Sequence, residues 1–243
     1  MKQNWILILL TAAICLIATL PSFGIEQTPR GVFDADFFNR AVFFGESTTT
    51  HIRSRSRIRS HQVWANASGT ARLDSTLTQR PLCDPRDGSP VTLTDLASRE
   101  QPDWMVLSFG LNGIMHFSEN RDEYLACYQK LIGTISQASP VTRFVIQSVY
   151  PVAREEHQAD WKFTEPPQAI NQRIILLNGW LSDWCRPMKN AVFADTSCVL
   201  TDSDGYLRSD FTTDGIHLNE AAYTEILAAL SQCKALQNDF RED

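Results

Sequence analysis

The chain has 243 residues, 43% of them hydrophobic and 21% charged, with 11 Gly and 11 Pro. That composition excludes a disordered, collagen-like or repeat protein and suits one α/β domain with a full core. A formal net charge of −6 argues against nucleic acid or an anionic membrane surface as partner.

The chain opens with Lys2, followed by an uncharged apolar run from Trp5 to Leu20 that Pro21, Ser22, Phe23 and Gly24 break. This is the layout of a secretory signal peptide cleaved after Gly24, which places the protein outside the cytoplasm, secreted or at the cell surface. The alternative is an N-terminal membrane anchor, because the uncharged stretch from Gln3 to Ile25 is nearly long enough to span. Five cysteines follow, at 83, 127, 185, 198 and 233. An odd number allows two disulfides at most and is equally compatible with buried free thiols. They form no CxxC pair, and the spacing indicates neither zinc nor a redox motif.

Residues 25–40 read as a lead-in to a domain over 41–237, with a polar tail at 238–243. Strands are expected at Ala41–Phe44, Gln62–Asn66, Trp104–Phe109, Arg143–Val149 and Ala191–Asp195. Several of these runs are apolar almost throughout, as parallel strands covered on both faces must be. Helices are expected between them. Asn120 and Glu123 mark an N-terminus for a stripe of Tyr124, Tyr128, Leu131 and Ile135. Pro166 and Pro167 open a second helix with inner residues Ile170, Ile174, Leu177, Leu181 and Trp184. A last helix starts near Asn219 and buries Tyr223, Ile226, Leu227 and Leu230. The alternation predicts a three-layer α/β/α sandwich on a mostly parallel sheet of about five strands.

Ligands in such folds sit beyond the C-terminal strand ends, and the chemistry-bearing residues of this chain gather there. Ser47 follows strand one in Gly45-Glu46-Ser47, where a helix N-terminus supplies free N–H groups and partial positive charge. The same position also suits a simple helix cap. Strand two leads to Gly69, whose backbone can approach a ligand closely. Strand three leads to Asn112 in Gly110-Leu111-Asn112-Gly113, a side-chain amide able to donate into a cleft. Before the last helix stands Asp214-Gly215-Ile216-His217, one loop carrying a carboxylate and an imidazole three residues apart. An activated hydroxyl, a base and oxyanion donors are the requirements of ester hydrolysis. Asp195, at the end of strand five, competes with Asp214 for the acid role.

In the order and placement of these four blocks, over residues 40–235, the chain resembles the SGNH/GDSL hydrolase superfamily. The resemblance implies a flavodoxin-like SGNH fold with Ser47 as nucleophile, His217 as base and Asp214 as its orienting acid. It also implies an oxyanion hole from the N–H groups of Ser47 and Gly69 and the side chain of Asn112. Two positions depart from the family pattern. Glu46 stands for the usual aspartate beside the serine, and Gly113 for the aspartate after the asparagine. The activity implied is an esterase acting on a small acyl group, such as acetyl, of a small-molecule or polysaccharide ester. The same acyl-enzyme would serve an O-acyltransferase, and a vestigial triad would leave a carbohydrate-binding module.

No cofactor or metal is expected. His51, His61, His116 and His157 lack ligand spacing, and no Gly-rich phosphate loop follows strand one. Arg53, Arg55, Arg57 and Arg59 alternate just after the nucleophile. Arg53 and Arg55 are thus candidate binders of an anionic substrate group, provided the stretch is extended and all four share a face. After strand four, His157 and Trp161 in the segment from Tyr150 to Trp161 are candidate cleft-rim residues.

Overall fold

Strands that are apolar on both faces can be satisfied only inside a sandwich, and that is where the five expected runs lie. The computed structural model describes residues 35–154 and 162–233. The expected signal peptide, the polar tail, His157 and Trp161 lie outside them. Five strands form one parallel sheet in the order β2-β1-β5-β6-β7: β1 Ala41–Gly45, β2 Val63–Trp64, β5 Trp104–Ser108, β6 Arg143–Gln147 and β7 Ala191–Ala194. A separate antiparallel pair, β3 Leu82–Cys83 and β4 Pro90–Val91, lies outside the expected set.

The expected strand at 62–66 shortens to two residues. Gln62 is buried in a 3-10 turn, and its amide donates to the carbonyls of Phe38 and Ala41. Those bonds take Gln62 out of the ladder. The domain also begins earlier than residue 41. Helix α1 (Ala35–Arg40) packs Phe37 and Phe38 into the core, against Trp104 and Phe43.

Helices cover both faces of the sheet. Beyond α1 they are α2 Ser47–Thr50, α3 Ile52–Arg55, α4 Leu93–Glu100, α5 Ile114–Phe117, α6 Arg121–Ala138, α7 Pro167–Cys185 and α8 Glu220–Ser231. The α7 stripe Ile170, Ile174, Leu177 and Leu181 is buried on one face. Tyr223, Ile226, Leu227 and Leu230 of α8 pack on the other. Fully burying such side chains contributes about 1.5–3 kcal/mol each. Asn219 caps α8 by accepting from the Ala222 N–H at 3.1 Å. Asn120 does not cap α6 with its side chain. Its amide instead donates to the His116 carbonyl at 2.8 Å, while Glu123 holds the His116 ring.

This strand order reverses direction between β1 and β5, so their C-terminal ends open a crevice at the topological switch point. Ser47 follows one of those strands and Asn112 the other. Cys83, Cys127, Cys185 and Cys198 are thiols, and burial raises the pKa of Cys185 to about 12. Among the described residues no helix is long and apolar enough to cross a membrane, and no cluster of metal-ligating side chains occurs.

Candidate active site

Ser47, His217 and Asp214 form a continuous hydrogen-bonded chain. Ser47 Oγ lies 3.1 Å from His217 Nε2, and His217 Nδ1 lies 2.6 Å from Asp214 Oδ2. The loop before α8 builds half of this chain. Asp214 Oδ1 accepts the N–H groups of Ile216 at 2.9 Å and His217 at 2.6 Å, folding the four residues about their own carboxylate. Thr212 Oγ1 accepts the Gly215 N–H and lies 2.8 Å from the His217 carbonyl, closing the loop from the other side. Burial alone would raise the Asp214 pKa. The hydrogen bonds from the His217 backbone, the His217 ring and the Ile216 N–H outweigh it and hold the pKa at about 2. Asp214 is therefore a carboxylate at neutral pH. It favours the ring tautomer protonated on Nδ1, which leaves Nε2 to accept the serine proton. Asp195 has no part in this chain, because its carboxylate is exposed and accepts from Ser197.

The elements beneath hold the serine in place. Tyr223 of α8 donates its hydroxyl to the Thr48 carbonyl at 2.5 Å, tying the last helix to α2. The His51 ring packs 4.8 Å from the His217 ring, and burial, then the charge of Arg55, lower its pKa. A neutral His51 adds no positive charge beside an imidazolium forming on His217. Arg55 donates to the Leu218 carbonyl, and Arg53 donates to the Val63 carbonyl through two nitrogens. Both arginines therefore brace backbone, and neither lines the cleft. The expectation of an arginine-lined face required an extended segment. Residues 52–55 instead make a turn of helix, which scatters alternate side chains.

The two departures from the family pattern each have their own setting in the fold. Glu46 is buried, and its carboxylate crosses to the loop after β5. There it accepts the Gly110 N–H at 2.9 Å and the Asn112 N–H at 3.1 and 3.2 Å. The Glu46 side chain thus links the loop after β1 to the loop after β5. A Cβ on residue 113 would stand 2.4 Å from the Phe117 ring, so any side chain there would force that ring to shift. Gly110 has φ +142°, and a Cβ there would meet Tyr124 Oη at 2.7 Å. Tyr124 and Tyr128 both donate to the Phe109 carbonyl and fix this loop from below.

Desolvation raises the Glu46 pKa from 4.5 to about 7, against the loop N–H groups and the charge of Arg72, which lower it. A folded-state value above the unfolded one stabilises fully below pH 4.5, and that stability is lost as pH rises through 7. Glu46→Gln keeps an acceptor oxygen and abolishes the titration. The variant is expected to gain on the native chain between pH 5 and 8, by at most about 3 kcal/mol. Thermal melts across that range check this, and parallel Tm–pH curves would refute it.

A cleft of about 300 Å³ opens beside Ser47 and His217, with Leu111, Ile114, Met115, Phe163 and Ile216 as its apolar lining. Asn112 lines it too, and its Nδ2 donates to Thr70 Oγ1 at 3.3 Å, which orients the amide and leaves one N–H to give. Gly69 lies off the cleft lining, and its N–H donates to the Asn66 carbonyl at 3.0 Å. Arg72, Lys162, Phe163 and His116 line the cleft but lie in loops or a four-residue helix, where no periodicity marks a residue as inward-facing.

A parallel α/β sandwich with a serine, an imidazole and a carboxylate in one chain at its switch point defines a class of hydrolases. The sequence matches the GDSL-like Lipase/Acylhydrolase family over residues 43–224. The chain belongs to that family and is a serine ester hydrolase. Comparison with curated proteins gives no match. Among solved structures it is similar to a GDSL-like lipase from Bacteroides thetaiotaomicron, at 15% identity and TM-score 0.52, covering 86% of this chain and 93% of that one. It is also similar to a candidate acylhydrolase from Bacteroides fragilis, at 18% and 0.53, covering 83% and 88%. A candidate platelet activating factor from Streptococcus pneumonia gives 19% and 0.54, covering 81% and 88%. At these identities the likeness establishes the shared SGNH/GDSL fold.

Proposed function

We propose that the chain is an exported esterase that removes a small acyl group, acetyl in the simplest case, from a carbohydrate or other extracellular ester. The hydrogen-bonded chain from Ser47 through His217 to Asp214 carries this reading. Ser47 Oγ attacks the ester carbonyl carbon while its proton passes to His217 Nε2, and the carbonyl π pair moves onto oxygen. The Ser47 N–H and the Asn112 amide face that oxyanion. Gly69, with its N–H engaged by Asn66, has no donor role in this reading. Collapse expels the alkoxide, which takes the proton from His217 and leaves acyl-Ser47. Water then repeats the sequence, releasing the acid and restoring the serine. A cleft of about 300 Å³ suits a short acyl chain. The apolar run ahead of residue 25 supports export, which N-terminal sequencing of the secreted protein checks.

The direct test combines acid release from acetylated glycans and aryl acetates with mapping of a fluorophosphonate adduct, expected on Ser47. The oxyanion assignment has its own signature. Asn112→Ala is expected to lower kcat by about 10²–10³-fold with little change in KM. A rise in KM at constant kcat would make Asn112 a ground-state binder instead.

A further inference from the structure

In this acidic chain the arginines are mostly occupied. Arg99 holds Asp84, Arg173 holds Glu165, Arg154 holds Asp204 and Arg208 holds Asp210. The two cations lining the cleft beside Ser47 are different. Among the described residues, neither Arg72 nor Lys162 makes an ion pair. Arg72 is near enough to Glu46 to favour its ionised form, yet no salt bridge joins them. Among the described residues Glu46 is the one acidic residue of the lining, and its carboxylate is turned onto the N–H groups of Gly110 and Asn112. Of the two lining histidines, His217 belongs to the Ser–His–Asp chain and His116 is held by Glu123 outside the lining. Among the described residues the cleft therefore presents two cations that make no ion pair beside an apolar lining, and no carboxylate other than that of Glu46 lines it.

We infer that Arg72 and Lys162 form an anion subsite, so that the preferred substrate is an ester bearing a carboxylate or phosphate near the scissile bond. This deepens the esterase reading and rests on it. A cleft of one sign with low-dielectric walls focuses its field and concentrates oppositely charged ligands. Arg72 can hold a planar carboxylate through two parallel N–H bonds, and Lys162 adds a point charge. The net charge of −6 would otherwise repel such a substrate, which gives two free cations at this place a distinct effect. The positive field that the arginines after Ser47 suggest is thus supplied by other residues.

The test compares three acetates of one leaving-group type: para-acetoxybenzoate, para-acetoxyphenyl phosphate and the neutral methyl para-acetoxybenzoate. The readout is the anionic-to-neutral ratio of kcat/KM within each protein, from which any general loss of activity cancels. The native chain is expected to prefer one anionic ester by about tenfold, the range of a partly screened charge-assisted hydrogen bond. The larger of the two ratios names the group. Arg72→Gln with Lys162→Gln is expected to bring the ratio near one, and Arg72→Lys to retain part of it. The native preference is expected to shrink between about 0.01 M and about 0.15 M salt, as the Debye length contracts. A native ratio near one, or a ratio that survives the double substitution, overturns the subsite. Calorimetric binding of para-acetamidobenzoate against its methyl ester decides the same question without turnover. A chain that hydrolyses no acetate but still selects the anionic amide would thus refute the esterase reading and keep the subsite.

Discussion

Ser47→Ala is expected to fold as the native chain does and to lose turnover of an aryl acetate by about 10⁵–10⁶-fold. The serine hydroxyl makes its one side-chain hydrogen bond to His217, and the residue opens α2, where alanine is readily accommodated. Removing the oxygen therefore costs little in packing. It takes away the nucleophilic atom that lies 3.1 Å from His217 Nε2. What remains is the binding surface and the oxyanion donors, which alone give a weak acceleration over water. Unchanged circular dichroism and Tm with near-native activity would remove Ser47 from the mechanism. Lost activity together with lost fluorophosphonate labelling is the expected pair of results.

The residues that make the Ser–His–Asp chain were legible in the sequence because each sits at a strand end or before a helix cap, where local pattern and chemistry coincide. The parallel strands were legible for a related reason, since burial on both faces leaves a run of apolar residues. The pair β3–β4 left no such trace, because two-residue strands such as Leu82–Cys83 are shorter than any period. Helix α1 was hidden in a short Phe-Phe segment that composition does not separate from a lead-in. Side-chain direction was the harder limit. Arg53 and Arg55 stand near Ser47 in sequence but turn onto the carbonyls of Val63 and Leu218. Arg72 and Lys162 reach the cleft from loops 90 residues apart in the chain, and only the fold brings them together. Glu46 looked like a conservative variation on an aspartate. Its reach to the N–H groups of Gly110 and Asn112, some 64 residues on, is visible only in three dimensions.

The acid of the Ser–His–Asp chain gives a result of comparable size and a sharper signature. Asp214→Asn is expected to lower kcat by about 10⁴-fold while leaving the loop largely in place. The asparagine oxygen can still accept the Ile216 and His217 N–H groups that the carboxylate now takes. Its NH₂, however, would face His217 Nδ1, where the carboxylate now stands 2.6 Å away. The ring then moves its proton to Nε2 and points a donor at Ser47 Oγ, so it can no longer act as base. Stability should follow pH in step. The Asp214 pKa is depressed from 3.8 to about 2, so its ionised form stabilises the fold above pH 3.8 and that contribution fades as pH falls through 2. The Tm gap between native chain and variant should be open at neutral pH and close toward pH 2. Asp195→Asn provides the control, since among the described residues the Asp195 carboxylate accepts from Ser197 in its local turn, and the change should leave kcat within a few-fold of native. Large loss in Asp195→Asn with little in Asp214→Asn would move the acid role to the end of β7. The reverse pattern, with a histidine nitrogen spectrum showing the proton on Nε2 in Asp214→Asn, ties the rate to the tautomer that Asp214 selects.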